Sequence, residues 1–574
     1  MMKAISSRIF LGLLPLGLGL FLGMSPSPTP LHRVQGGQPA GLQSKFLNST
    51  SCASCHSNAP LATAMRDSKS RPLGQYDLWR SSMMANASRD PLWRAVVSAE
   101  IQATPSRKAD IEAKCMRCHA PMESNDFHGD TDARMSLSML DDANDPRNPL
   151  ARDGASCTVC HQILPDNLGK ASSYTGKFHI GPSKQIFGPH ANPAVQQMQM
   201  RTGYVPAKGS HINKSGLCAT CHTVMTNTLD KNGKATGSSL PEQTPYLEWR
   251  NSIFNKEVQN PGPSAQSCQD CHLPSKDVEG NSISTRIARN PGGRDYPFLS
   301  SRAPFGRHIL VGGNTLLPEI FRDNAQALGV LAPAAAFNAT IAAAKNQLQK
   351  RTAKLSIQGL TRVGSDLQFR VRVENLAGHK FPSAYPSRRA WLKVRVLDKD
   401  NQQVFLSGGY DGIGRILGAG GKVLPEEKAG GPFFPHRDSI QSSGQVQVWE
   451  SLMGDDQNKL TFTLLRGAKY LKDNRILPKG WKPNHPDAPL TRPIGIGSDA
   501  NFVGGQDEVS FKLSAPSASG PYKIEVSLLY QTLGNRFAEE LFQVQTPEVA
   551  AFKSYWSKAS RVPVIVAQVS ATKN

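Results

Sequence analysis

Hydrophobic and polar positions change their pattern several times along this chain. Ile9 to Met24 is an unbroken apolar stretch behind Lys3 and Arg8, ended by Ser25-Pro-Ser-Pro-Thr-Pro30. This predicts an export signal, since the span is short for a transmembrane helix. No Ala-x-Ala cleavage site or lipobox cysteine follows, which leaves an uncleaved membrane anchor open. Residues 25–48, rich in Pro, Gly and Gln, read as a flexible tether. From 49 to about 300 the chain is loop-rich with short helical stretches. Tyr76 to Glu100 is the best of these, with Trp79, Met83, Ala87 and Trp93 at helical spacing.

From Pro318 to Thr352 an Ala-rich stripe runs through Ala327, Val330, Ala334, Phe337, Ile341, Ala344 and Leu348. Pro333 marks a break between two helices. Beyond Leu355 the period is two. Leu367-Gln-Phe369-Arg-Val371-Arg-Val373 and Trp391-Leu-Lys-Val394-Arg-Val396 alternate cleanly. Val446-Gln-Val448, Leu460-Thr-Phe462-Thr-Leu464, Val509-Ser-Phe511 and Ile524-Glu-Val526-Ser-Leu528 add strands between Gly/Pro/Asn/Asp turns. Strands at this spacing predict an antiparallel β-sandwich of roughly seven or more strands. The expected fold class is therefore α+β and multidomain. Its parts are a signal or anchor (1–24), a tether (25–48), a loop-rich, mainly helical domain (49–300), a helical connector (301–352) and the β-sandwich (353–574).

The loop-rich domain holds every one of the ten cysteines. They form five copies of Cys-x-x-Cys-His: Cys52/Cys55/His56, Cys115/Cys118/His119, Cys157/Cys160/His161, Cys218/Cys221/His222 and Cys268/Cys271/His272. This is the attachment signature of c-type haem. The two thiols, three residues apart on one side of a helical turn, add to the porphyrin vinyl groups. The adjacent histidine reaches the iron. With 14 histidines in 574 residues, five out of five by chance is roughly one in a hundred million. A thioredoxin-like site needs one CxxC, and zinc ribbons pair two. The cofactor expectation is thus five c-type haems.

The formal charge is +21. Five haems carry about ten propionate charges, which explains much of the excess without nucleic acid, and no basic run of the nucleic-acid kind is present. The same domain contains a faint repeat: Tyr76-Asp-Leu-Trp79-Arg80-Ser-Ser82 matches Tyr246-Leu-Glu-Trp249-Arg250-Asn-Ser252. It reads either as packing, with Trp on a porphyrin and Arg on a propionate, or as part of a site.

Each iron needs a second axial ligand unless its site is open. Nine histidines remain beyond the motifs: His32, His128, His179, His190, His211, His308, His379, His436 and His485. Methionine is the other common donor. Several strings resemble the bacterial multihaem cytochromes c of the cytochrome c-552/c-554-like group. They are Trp79 to Pro91, Ser210-His211 to Cys218, Arg307-His308 to Asn314, and Gly378-His379-Lys-Phe-Pro382 with Pro386 to Trp391. Lys472 to Pro478 and Leu528-Leu-Tyr530-Gln531 add to them. The likeness covers most of the chain after the signal. It implies distal ligation by His211, His308 and His379, with Met84 in the slot where relatives place a ligand. His190 is preferred over His179 for a fifth site.

Five covalently held haems within about 220 residues must lie close together, so electrons can hop along them; with the predicted signal this gives an exported electron carrier, periplasmic or at the cell surface, with quinol-linked or other cytochromes as redox partners. Membrane contact would come only through the possible N-terminal anchor. The alternative is a multihaem oxidoreductase acting on a small nitrogen or sulfur compound at one open haem. Arg388 and Arg389 are then candidate anion binders, though propionate pairing also suits them. Neither oligomeric state nor donor and acceptor is legible.

Overall fold

Short side-chain caps start the helices that matter. Asn48 accepts from the Thr50 amide ahead of the helix Ser49–His56. Ser267 and Asp270 form a reciprocal capping box on Cys268–His272. The other motifs lie on Lys108–His119, Cys157–Cys160 and Ser215–His222. In all five, the motif closes its helix, so the histidine stands at the helix C-terminus or its cap. The computed structural model describes residues 44–127, 135–383, 385–514 and 520–573. The predicted signal, His32 and His128 lie outside the described residues. Among the described residues, no helix is long and apolar enough to cross a membrane.

Residues 44–48 are not a tether. Phe46 is buried in a cluster with Met122, Leu150, Val159, Ile163 and Phe178. The expected helix from Tyr76 to Glu100 is two helices, Gln75–Trp79 and Pro91–Ala103, separated by turns. The side chains of Ser82 and Asn86 bond the backbone of the intervening segment. Asp90 then caps a new helix, and Pro91 suits its first position. Residues 301–315 form no helix; the connector helices are Leu316–Asp323, Ala325–Leu328 and Ala334–Arg351, the last beginning after Pro333.

Two sheets follow. One has four strands in the order Ser439–Ile440, Gln506–Leu513, Asp366–Asn375, Ala353–Val363. The path of the other is Leu460–Thr461, Val448–Gly454, Arg389–Leu397, Tyr522–Gln531, Val564–Lys573. Lys469–Asp473 and Gln403–Ser407 also join it. Alternation explains the packing: Leu367, Phe369, Val371 and Val373 share one buried core with Leu392, Val394, Val396, Ile524, Val526 and Leu528. Pairing is antiparallel except at Ser439–Ile440, which runs parallel to Gln506–Leu513.

One predicted strand is cut short. After Thr461 the chain leaves the sheet for a tight turn at Leu464–Arg466. The buried Glu100 carboxylate accepts from the Leu464 and Leu465 amides and draws this segment onto the helix Pro91–Ala103.

Gln43–Asn574 is one compact unit. A four-membered charge network explains part of that cohesion. Lys380 Nζ bonds Asp473 at 2.6 Å, and Arg475 grips the same carboxylate at 2.7 and 2.8 Å. Arg475 also reaches Glu248 at 3.3 Å, while Glu248 accepts from the Lys380 amide at 2.9 Å. Glu248 belongs to the helix Pro245–Arg250, ahead of the fifth motif; the other three follow the connector.

Candidate haem-binding sites

Four of the five motif histidines are oriented in the same way. His56 Nδ1 lies 3.0 Å from the Ile287 carbonyl, and His119 Nδ1 lies 2.9 Å from that of Ala87. His161 Nδ1 meets Phe187 O at 2.6 Å, and His272 Nδ1 meets Val311 O at 2.7 Å. A carbonyl only accepts, so each Nδ1 carries the proton. Each Nε2 is thereby the bare nitrogen. This is the tautomer and pose an iron ligand requires. His222 is exposed at its ring, yet dense surrounding protein pushes its imidazole down to about 4.

The cysteines tell the same story. All ten are free and half-buried. Burial pushes the thiols of Cys115 and Cys160 up to about 12 and that of Cys271 up to about 11. Cys52, Cys221 and Cys268 are lowered instead, each chiefly by a hydrogen bond with the thiol of a neighbouring motif. The motifs converge in space: Cys52 lies beside Cys157, Cys118 beside Cys221, and Cys218 beside Cys268. Cys160 is close enough to feel Cys221. The spatial order is first, third, fourth, fifth, with the second branching from the fourth.

Buried guanidinium nitrogens without a partner fit the same group. The Nε atoms of Arg80, Arg89 and Arg307 are buried and make no hydrogen bond. Guanidinium N–H groups of this kind match propionate oxygens. On donor chemistry, tautomer and thiol placement, the residues fit covalently held haem. In each motif the two thiols would carry the ring and the histidine Nε2 the iron.

The predicted distal ligands divide. His308 is pushed down to about 4 by burial, with His161 and His56 adding to the shift. Its ring centroid lies 6.4 Å from that of His161, with the planes 23° apart. Its Nδ1 is taken by Gly306 O at 2.9 Å, so its Nε2 is also bare. His379 Nδ1 meets Lys380 O at 3.0 Å, and His379 is close enough to press on both His222 and His272. His211 is buried the other way round: its Nε2 lies 2.9 Å from Ile163 O, leaving Nδ1 bare. Phe187 packs edge-on against its ring at 4.8 Å. His179 is bound at Nδ1 by Asp166 with its side chain 55% exposed, whereas His190 is half-buried. Met84 is half-buried and belongs to none of the apolar clusters among the described residues. His436 and His485 face Asp499 and Asp487.

Two arginine expectations change. Arg389 is buried in a pair with Glu427 and bonded to Gln531, so it serves neither propionate nor anion. Arg250 pairs with Asp487 and lies 5.5 Å over the Tyr246 ring. Arg80 repeats the ring contact at 5.7 Å over Tyr76. The repeat itself is real, with a different role. Trp79 Nε1 donates to Ala155 O and Trp249 Nε1 to Gln266 O. Both carbonyls lie two residues ahead of a motif. Met84 O accepts from Ala155 N, just as Phe254 O accepts from Gln266 N, each at 2.9 Å. The unit thus fixes the entry to a motif helix, and the first copy serves the third motif.

Sequence reasoning missed Arg289. Its guanidinium donates to Ser57 O at 2.7 Å and Ser54 O at 2.8 Å, at the end of the first motif helix. Nothing in the local sequence marks it, because its partners lie more than 200 residues away. The carbonyls that orient the motif histidines were hidden for the same reason.

Comparison with known proteins yields little. No family model and no curated protein matches the chain. Among solved structures, it is similar to a penta-heme cytochrome c552 from Thermochromatium tepidum. The identity is 14% and the TM-score 0.48, over 92% of this chain and 99% of that one. At that distance the likeness assigns neither ligands nor activity.

Proposed function

We propose that this chain is an exported pentahaem c-type cytochrome that carries electrons between redox proteins. The observation that carries this reading is the convergence of five Cys-x-x-Cys-His helices with thiols of neighbouring motifs side by side and, in four of them, the histidine Nδ1 held by a carbonyl so that Nε2 is free. Covalently held haem supplies one-electron Fe(III)/Fe(II) chemistry; the chain supplies spacing, ligand choice and a dry surrounding. The motif helices hold the thiols in order. The carbonyls of Ile287, Ala87, Phe187 and Val311 fix four imidazole tautomers. His308, His379, His211, Met84 and His190 are the proposed distal ligands. Arg80, Arg89 and Arg307 would meet propionates.

The test is a pyridine haemochrome assay with intact mass on protein matured in an exporting host. Five covalent haems are expected; three or fewer would end the reading. Lys3, Arg8 and the apolar Ile9–Met24 stretch place the holoprotein outside the cytoplasm in this proposal. Cell fractionation checks that, and an intact N-terminus in washed membranes selects the anchor variant. Quinol-linked or other cytochromes are the proposed partners.

A second reading has one specific observation behind it. The one imidazole that presses on His119 is His222, itself a motif histidine. Near that motif, the buried Tyr385 hydroxyl makes no hydrogen bond and feels Glu242, Glu100 and Cys115. An open position at the second motif, with Tyr385 as a hydrogen-bond donor, suits a multihaem oxidoreductase of small nitrogen or sulfur compounds. A high-spin ferric signal with cyanide or nitrite binding, altered in Tyr385→Phe, supports it; fully low-spin iron excludes it.

A further inference from the structure

The first motif is the one that opens onto an apolar surface. Among the described residues, three of the four most exposed large apolar side chains are Met200 (88%), Leu61 (67%) and Phe298 (59%). Met200 and Phe298 lie near residues that touch the helix Ser49–His56, and Leu61 lies in the loop that leaves it. Met200 precedes Arg201, whose Nε reaches Ser54 Oγ at 3.5 Å. Phe298 packs at 5.2 Å, tilted by 43°, against Tyr296, whose hydroxyl lies against the Cys55 thiol. Leu61 precedes Thr63, which donates to Asp295 at 2.5 Å from its hydroxyl. Single exposed apolar residues are ordinary, but here three of the most exposed stand on segments that meet at one motif helix, with exposed arginines beside them.

The exposed charged side chains next to Met200 and in the segment before Phe298 are cationic. Arg201 and Arg294 are exposed. The carboxylate in this segment, Asp295, is already engaged by Thr63, the Ala64 amide and Arg286. An apolar centre with a cationic rim fits a partner with the complementary form. We propose that this surface is the docking site of a small acidic redox protein. Its apolar patch would cover Met200, Leu61 and Phe298, and its carboxylates would face Arg201 and Arg294. The proposal rests on the electron-carrier reading and assigns the first motif as the port through which electrons pass. Rim charges steer encounter, so their effect should fall on the association rate and weaken with salt.

The experiment is stopped-flow reduction of the five-haem holoprotein by reduced flavodoxin, an acidic protein, with dithionite as a small reductant. Arg201→Glu with Arg294→Glu should slow flavodoxin about tenfold or more at low ionic strength and leave dithionite unchanged. Met200→Ser with Phe298→Ser should slow it at any salt. A control of equal charge change, Lys345→Glu with Lys558→Glu, should not. If flavodoxin fails to react with the wild type, or reacts equally fast with the Arg201/Arg294 variant, the docking site is refuted while the carrier reading stands. If dithionite reduces no haem, the carrier reading itself fails.

Discussion

His161 and His308 face each other with ring centroids 6.4 Å apart and planes within 23° of parallel. Two imidazoles on opposite sides of one metal place their centroids about 6 Å apart, given a metal–nitrogen bond near 2 Å and roughly 1 Å from nitrogen to ring centre. Each ring has its Nδ1 on a carbonyl and its Nε2 free. The pair therefore has the spacing and the tautomers that would let both rings hold one iron, from positions 147 residues apart in the chain.

His308→Ala is accordingly expected to change one haem out of five. A single iron should become high-spin by ferric EPR and bind cyanide, while the remaining haems keep their spectra. His179→Ala, at an exposed ion pair, is the matched control and should change none. Loss of two or more low-spin signals would show that His308 holds structure rather than one iron.

The charge network around Asp473 predicts a cooperative unit. Burial alone would raise the Asp473 carboxyl, but Arg475 and Lys380 override it and hold it down at about 2. Asp473→Asn leaves two buried cations short of a partner and is expected to cost about 3–5 kcal/mol. The sign with pH follows from the lowered value. The contribution is complete above the unfolded value near 4 and is lost as pH falls through 2. Acid melts of wild type and variant should therefore converge. A constant difference down to pH 2 would contradict this.

Asp507 predicts the opposite slope. It is fully buried, and desolvation pushes its carboxyl up to about 7. The folded chain therefore holds a proton between about pH 4 and 7 that the unfolded chain releases, and stability from this group falls as pH rises through 7. His436, Asp499 and Asp507 place ligand atoms within 4.8 Å of one another, but this is no metal site. Gln447 and Asn474 both donate to His436 Nδ1, so the proton sits on Nε2, facing Asp499. Asp507→Asn should stabilise the protein at pH 8 by on the order of 2 kcal/mol and by much less at pH 5. Zinc or calcium should not shift the melting temperature. A metal-induced rise would overturn the tautomer assignment.

How far the sequence reaches is visible in these same residues. The motifs and the period-two strands around Phe369 and Val394 were readable because their signals are local. Ligand pairing was not: His308 is recognisable as a candidate, but its meeting with His161 is set by the fold. The helix expected through Met84 failed because Ser82 and Asn86 hydrogen-bond the backbone locally, which competes with helical pairing. Leu464 left its predicted strand because Glu100, far away in sequence, takes its amide. Arg389, expected to pair with a propionate or, less so, to bind an anion, is taken instead by Glu427, 38 residues further along the chain.

Met84 is the proposed methionine ligand, and the repeat sharpens its test. Its structural counterpart is Phe254, whose carbonyl makes the same hydrogen bond ahead of the fifth motif. Phe254 packs against a cluster with Trp249 and Tyr246, while Met84 joins none of the apolar clusters. The backbone role is thus common to both copies, and the thioether is what differs. Gly154 keeps that backbone role possible: at φ +64 its added Cβ would lie 2.5 Å from Met84 O. A thioether favours ferrous iron more than imidazole does. Met84→His should therefore lower one potential by on the order of 100 mV and leave four unchanged. Met84→Leu keeps the bulk and the backbone bond but removes the donor, so it should turn one haem high-spin. Gly154→Ala should instead reduce stability without selecting a single potential. If Met84→Leu leaves all five potentials and spin states as they were, Met84 only shapes the turn, and the iron it was assigned has another ligand or none.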